Sequence, residues 1–207
     1  MKNIIQFKVR IRQFANIFRR IRLKNQKFTL FCNNCLAGCI LHDLGMKFNS
    51  PTINLYIPFP DYIDFLENLK YYLSIPMMDI TMNSKYPIGW LANPSGGGIK
   101  IHFLHYETFA EANESWIRRS KRISWENNYF ILVERDGCTY EDLLRFDKLP
   151  FKHKVALVHK QYKGLQSQFV IKGFENDKQV GNVMDYKGLF GKRIYDQFCW
   201  IKFFNNK

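Results

Sequence analysis

No stretch of this 207-residue chain approaches about 18 consecutive apolar residues, so no segment reads as a membrane-spanning helix. The first 42 residues contain no acidic side chain, and the first 27 contain neither proline nor glycine. That opening stretch is too broken in its apolar run for a secretory leader, and no A-x-A-like cleavage site follows it. Cysteine occurs five times, an odd count; without a leader, reduced thiols in a cytosol are expected and secretion is not. Cys32-x-x-Cys35, followed by Cys39 and His42, lacks the second ligand pair that a tetrahedral zinc site draws on. A redox role would need both thiols at a helix start, yet Cys32 reads as the last buried residue of a strand. No metal and no cofactor are therefore expected. Gly96-Gly97-Gly98 precedes a strand instead of joining a strand to a helix, so it reads as a hairpin loop and not as a phosphate loop. Internal repeats and low-complexity tracts are missing too.

What remains is apolar and basic. Hydrophobic residues make up 46% and aromatics 16%, enough buried surface to exclude a disordered chain. The length suits one domain with an appendage. Of 31 basic residues, nine lie within residues 1–27 (Lys2, Lys8, Arg10, Arg12, Arg19, Arg20, Arg22, Lys24 and Lys27), leaving 22 to set against all 18 acids. Most of the net charge of +13 thus belongs to one arm.

In that arm Ile4, Phe7, Ile11, Phe14, Phe18 and Ile21 recur at spacings of three and four, along one helix face. Four readings stand. The helix packs its apolar face on the domain and leaves a solvated basic face; or it lies on an anionic membrane surface, apolar face down. Nucleic-acid binding is disfavoured, because the phenylalanines sit on the apolar stripe and not beside the charge. A targeting peptide is the fourth. The expected organisation is a basic amphipathic helix over residues 1–27 and a single α/β domain over 28–207.

Along that domain, 28–32, 52–57, 86–91, 99–104, 129–133, 154–158 and 169–171 read as strands. Helices are expected at 35–44, capped by Asn33-Asn34 and stopped by Gly45, and at 61–73, 107–122, 139–146 and 190–203. This alternation predicts a three-layer α/β/α sandwich with a mixed, mostly parallel sheet, mixed because the 86–104 hairpin joins it.

Ligands in open α/β sheets bind outside the carboxyl ends of the strands. Directly after the apolar runs come Asn33, Asn34 and Cys35; His105 and Tyr106; Glu134, Arg135 and Asp136; and His159 and Lys160. Two mechanisms fit these types. Asp136 acts as a general base on a sugar hydroxyl, assisted by His105 or His159, with Arg135 or Lys160 holding an anionic donor. Alternatively Cys35, its pKa lowered at a helix start, is a nucleophile with a histidine as base, which requires hydrogen-bond reach to His105 or His159.

The order of motifs is also familiar: FTLFCNNCLAG at 28–38, NSPTINLYI at 49–57, DYIDFLENLKYYL at 61–73, YPIGWL at 86–91, IKIHFLHYETFAEANESWIRRSKRI at 99–123, NYFILVERDG at 128–137 and FDKLPFKHKVALVHK at 146–160. Over residues 28–172 it resembles an uncharacterised bacterial family, domain of unknown function 1919, whose members are often labelled capsular or exopolysaccharide biosynthesis proteins. The residues carrying the resemblance are Asn33, Asn34, Cys35, Gly38, Ser50, Pro51, His105, Tyr106, Arg135, Asp136 and Gly137; it places no firm requirement on His159. It implies an α/β/α fold and a place in surface polysaccharide assembly, without a reaction.

Together these lead to an expected cytoplasmic protein, peripheral on the inner face of the membrane, that transfers a group onto a polysaccharide or its lipid-linked precursor. The catalytic candidates are Asp136, His105 and Cys35; the substrate-binding candidates are Asn33, Asn34, Ser50, Tyr106, Arg135, His159 and Lys160. The donor would be a nucleotide sugar, an acyl-CoA or another activated group, the acceptor a glycan or lipid-linked glycan, and residues 1–27 would meet an anionic membrane. A non-catalytic assembly factor is the rival from another class, and a nucleic-acid binder the third.

Overall fold

The computed structural model describes residues 2–188 and 190–206. The side chains of Lys2, one of the nine basic groups of the arm, and of Asn3 lie outside the described residues.

The continuous apolar runs become the strands of one four-stranded sheet: β1 (Thr29–Cys32), β5 (Asn128–Val133), β6 (His153–Val158) and β7 (Gln168–Val170), in that spatial order. Every pairing between them is parallel, in register Phe31 with Phe130 and Ile131 with Val155. Strands covered on both faces need apolar residues throughout, which is why these read as unbroken runs and not as alternations. Successive side chains then point into two cores. Phe31, Phe130, Leu132, Ala156 and Val158 face one. Leu30, Tyr129, Ile131, Val133 and Leu157 face the other.

The first core is closed by α3 (Asp61–Glu67), α4 (Leu69–Ser74), α5 (Phe109–Ser120) and α6 (Tyr140–Lys148). The second is closed by α2 (Leu36–Leu44) and α7 (Trp200–Asn205). The expected α/β architecture, a parallel sheet between helical layers, is therefore present. The antiparallel strands expected within it form a separate three-stranded sheet of β2 (Met78–Asp79), β3 (Ile88–Ala92) and β4 (Gly98–His102).

Three expected elements differ. Residues 52–57 are not a strand: Asn54 adopts a left-handed φ of 64°, and only Tyr56 bridges to His102. The apolar alternation there is satisfied by burying Ile53 in one core and Leu55 and Ile57 in the other, with no ladder. The helix expected at 61–73 breaks at Asn68 into α3 and α4. The helix expected at 190–203 is interrupted by Gly191 at φ 65°, whose backbone packs against Lys8 and Arg12. In its place β9 (Lys192–Arg193) pairs with β8 (Tyr186–Lys187), then come a single 3₁₀ turn, Ile194–Gln197, and α7.

The arm is helical as expected, α1 spanning Lys2–Arg22. Its docking is the reverse of the reading in which the apolar stripe packs on the domain. Arg12 (4% exposed) and Asn16 (3%) face the domain, while Phe7, Phe14, Phe18 and Ile21 face outward. Arg12 donates to Asp43, to Asp196 (2.6 Å) and to the Tyr195 hydroxyl (2.6 Å), and Asn16 donates to Asp43 (2.8 Å). Arg19 pairs with Asp196 at 3.0 Å. Arg20 donates to the carbonyl of Asp43 at the end of α2, where a cation meets the negative pole of the helix.

Candidate active site

Because β1, β5 and β6 run parallel, their carboxyl ends share one edge of the sheet. Each segment leaving that edge is shaped by its own local chemistry. After β1, the Asn34 side chain accepts from the Leu36 N–H at 3.0 Å, starting α2 and leaving Cys35 at the turn. After β5, Asp136 and Gly137 both take left-handed φ values, 56° and 89°, which swing the chain away and present Arg135 and Asp136 side by side. Arg135 Nε donates to Asp136 Oδ2 at 2.8 Å, and the Asp136 N–H donates to Gln179 Oε1 at 2.9 Å.

Between these two exits lies a crevice of about 500 Å³, lined by Asn34, Cys35, Tyr56, Tyr86, Arg135 and Asp136, with Leu104, Asn182 and Met184. That volume lies in the ordinary range for small-molecule sites, about 300–1,000 Å³. His105, which follows β4, brings Nε2 to 3.2 Å from Cys35 Sγ, across 70 residues of sequence. That is the reach the thiol mechanism needs. Larger cavities open at the opposite end of the sheet, around His153 and Trp125, and beside α1, but neither gathers the strand-end residues.

Burial, with a smaller contribution from Cys39, pushes the Cys35 thiol up to about 11. The direction is opposite to the lowering expected from the helix start, so desolvation outweighs the dipole. Cys35 therefore rests as a thiol, and a base must take its proton as it reacts. Tyr56 is also raised, first by burial and then by the nearby Asp136 carboxylate. The rings of Tyr56 and Tyr86 flank His102 at 5.2 and 5.8 Å, and His102 Nδ1 is buried without a hydrogen-bond partner.

The other expected residues lie elsewhere. Asn33 is fully buried; it accepts from the Val133 N–H (2.9 Å) and donates to the Val133 carbonyl (3.1 Å), tying the end of β1 to that of β5. Ser50 is buried against Thr52, whose hydroxyl in turn accepts from the Cys32 N–H. The Tyr106 hydroxyl accepts from Arg119 at 2.7 Å, away from the crevice lining. His159 is buried with Nδ1 2.7 Å from Glu134, which also accepts from Tyr162. Lys160 is exposed, its ammonium over the Tyr162 ring. Cys32 is buried, its thiol turned to Asn33 and Asn34, so it does not share the surroundings of Cys35.

Tyr56, Tyr86 and Asn182 were not among the expected site residues. Tyr56 was hidden inside an apolar run, and Asn182 arrives from a loop whose course only the tertiary fold sets. Among the described residues, no three His, Cys, Asp or Glu side chains converge as a metal site, and no helix is long and apolar enough to cross a membrane.

Comparison with known proteins extends the resemblance. The chain is 41% identical over 197 residues to an uncharacterized protein of Haemophilus influenzae, covering 95% of this chain and 93% of that one. The family model for a domain of unknown function (DUF1919) matches residues 6–205. It thus takes in most of α1 and the C-terminal segment, which the motifs at 28–172 had left outside. The chain belongs to the DUF1919 family.

Proposed function

We propose that the crevice is the active site of a group transferase of bacterial surface polysaccharide assembly, which moves an acyl group from an activated thioester onto a glycan hydroxyl. One observation carries the reading: the Cys35–His105 contact of 3.2 Å, made across distant segments and facing a crevice with a carboxylate and an arginine. Sγ attacks the acyl carbonyl while Nε2 of His105 takes the thiol proton, which suits a thiol held near 11. The donor thiol leaves with that proton. An acceptor hydroxyl then attacks the Cys35 thioester, its proton passing to Asp136; Cys35 leaves as the thiolate and takes that proton up from Asp136, which restores the thiol and the carboxylate. Arg135 and the start of α2 face the anionic part of the donor. Tyr56 and Tyr86 offer aromatic faces to a sugar ring, and Asn34 and Asn182 offer amides to its hydroxyls.

Intact-mass analysis after incubation with acyl-CoAs tests this. An acyl adduct on Cys35, absent in Cys35→Ser and accumulating in Asp136→Asn, is expected. No adduct, together with normal glycan from a Cys35→Ser strain, sinks the thiol route. The Arg135–Asp136 pair favours a second reading, in which Asp136 activates the acceptor for direct attack on a nucleotide-sugar donor. Normal glycan from Asp136→Ala as well would leave the assembly-factor role.

A further inference from the structure

An amphipathic helix on a folded domain ordinarily turns its apolar stripe inward. In α1 the opposite holds, and the reason is electrostatic: Asp43 and Asp196 are buried carboxylates, and Arg12, Asn16 and Arg19 are what they bind. With the polar stripe committed to the domain, the apolar stripe is left facing outward. Phe14 is 64% exposed, Ile21 75%, and Ile4, Phe7, Ile17 and Phe18 are each at least half exposed. Phe190, 76% exposed, precedes Gly191, which packs on the backbone of α1 at Lys8 and Arg12. Exposed large apolar side chains gathered along one helix face in this way mark an interaction surface.

The charges that the arm itself carries are all of one sign. Arg10, Arg22, Lys24 and Lys27 are exposed, and no acid occurs before Asp43. The two carboxylates bonded to α1 are already neutralised by its inward arginines. Beside the helix runs a groove of about 730 Å³, lined in part by Phe18, Phe198, Trp200 and Ile201, with Arg22 and Lys202 and with the arginine-paired Asp43 and Asp196.

We propose that the outward face of α1 is a docking surface for an anionic lipid bilayer. Its phenylalanines and isoleucines enter the acyl boundary, and Arg10, Arg22, Lys24 and Lys27 meet the headgroups. The thiol chemistry is independent of this surface, so Cys35→Ser must bind vesicles as the native chain does.

The test is flotation of the full chain with vesicles of phosphatidylglycerol and phosphatidylethanolamine, against vesicles of phosphatidylcholine. Binding to the anionic vesicles alone is expected, weakening at least tenfold between about 0.1 and 1 M salt as the screening length falls from about 10 to 3 Å. Phe14→Ser with Ile21→Ser, both exposed and so harmless to folding, should lower binding at least tenfold with the melting temperature unchanged. Flotation with neither vesicle, or equal flotation of the double variant, overturns the proposal. A native dimer that the double variant converts to monomer by analytical ultracentrifugation would assign the face to a second copy and overturn it too.

Discussion

Cys35 and Asp43 stand at opposite ends of α2, and burial pushes both toward their neutral forms. At Cys35 burial wins. Alkylation of Cys35 by iodoacetamide, followed by peptide mass, should be slow near pH 7 and rise about tenfold per pH unit to about pH 10, because only the thiolate reacts. A plateau by about pH 8 would mean a preformed thiolate and a different role for His105. At Asp43 burial loses to hydrogen bonds from Arg12 and Tyr195, so the carboxyl lies below its ordinary value. A depressed folded value stabilises the native state fully above the unfolded value of about 3.9, and the contribution is lost as pH falls through the folded value. Acid below about pH 4 should therefore loosen α1 from α2.

Between elements, short side chains set the geometry that the strands alone leave open. Asn33 completes two hydrogen bonds to Val133 that a longer β1 would have made with its backbone. Asn33→Ala leaves that buried backbone N–H and C=O unpaired and should cost about 2–6 kcal/mol in urea unfolding, at about 1–3 kcal/mol per orphaned group. The same change should loosen the crevice, since β1 and β5 carry Cys35 and Asp136. A loss under about 0.5 kcal/mol, the size of an ordinary surface substitution, would show that the tie is dispensable. The ends of α2 were legible in the sequence, Asn34 at its start and Gly45 at its end with φ 66°, whereas Thr139, read as the first residue of a helix, is the cap of α6 and forms a capping box with Asp142. The Asn54 turn was not legible, because an alternating apolar run looks alike whether it forms a ladder or only buries every second residue.

For the whole molecule, α1 is a structural member as well as a surface. Deleting residues 2–22 strands two buried carboxylates, and Arg12→Ala removes their main partner. Breaking a buried pair from one side costs about 3–5 kcal/mol, so Arg12→Ala should lower unfolding stability by that order, and the deletion by more. Unchanged unfolding of Arg12→Ala would mean that the helix is held by other contacts. For the same reason an N-terminal truncation confounds attachment with folding, whereas outward substitutions separate them.

Local pattern was enough for the parallel strands, the start and stop of α2, the helicity of α1 and the strand-end residues Cys35, His105, Arg135 and Asp136, since each depends on neighbours within a few positions. Only the tertiary structure decided that His105 meets Cys35 while His159 is buried on Glu134, that Tyr56 and Tyr86 wall the crevice, and that the hairpin forms its own sheet. It also decided which way α1 faces. Periodicity shows that a helix has two faces, but the choice between them rests on Asp43, on the helix after β1, and Asp196, beyond the last strand, whose desolvated charges demand arginine.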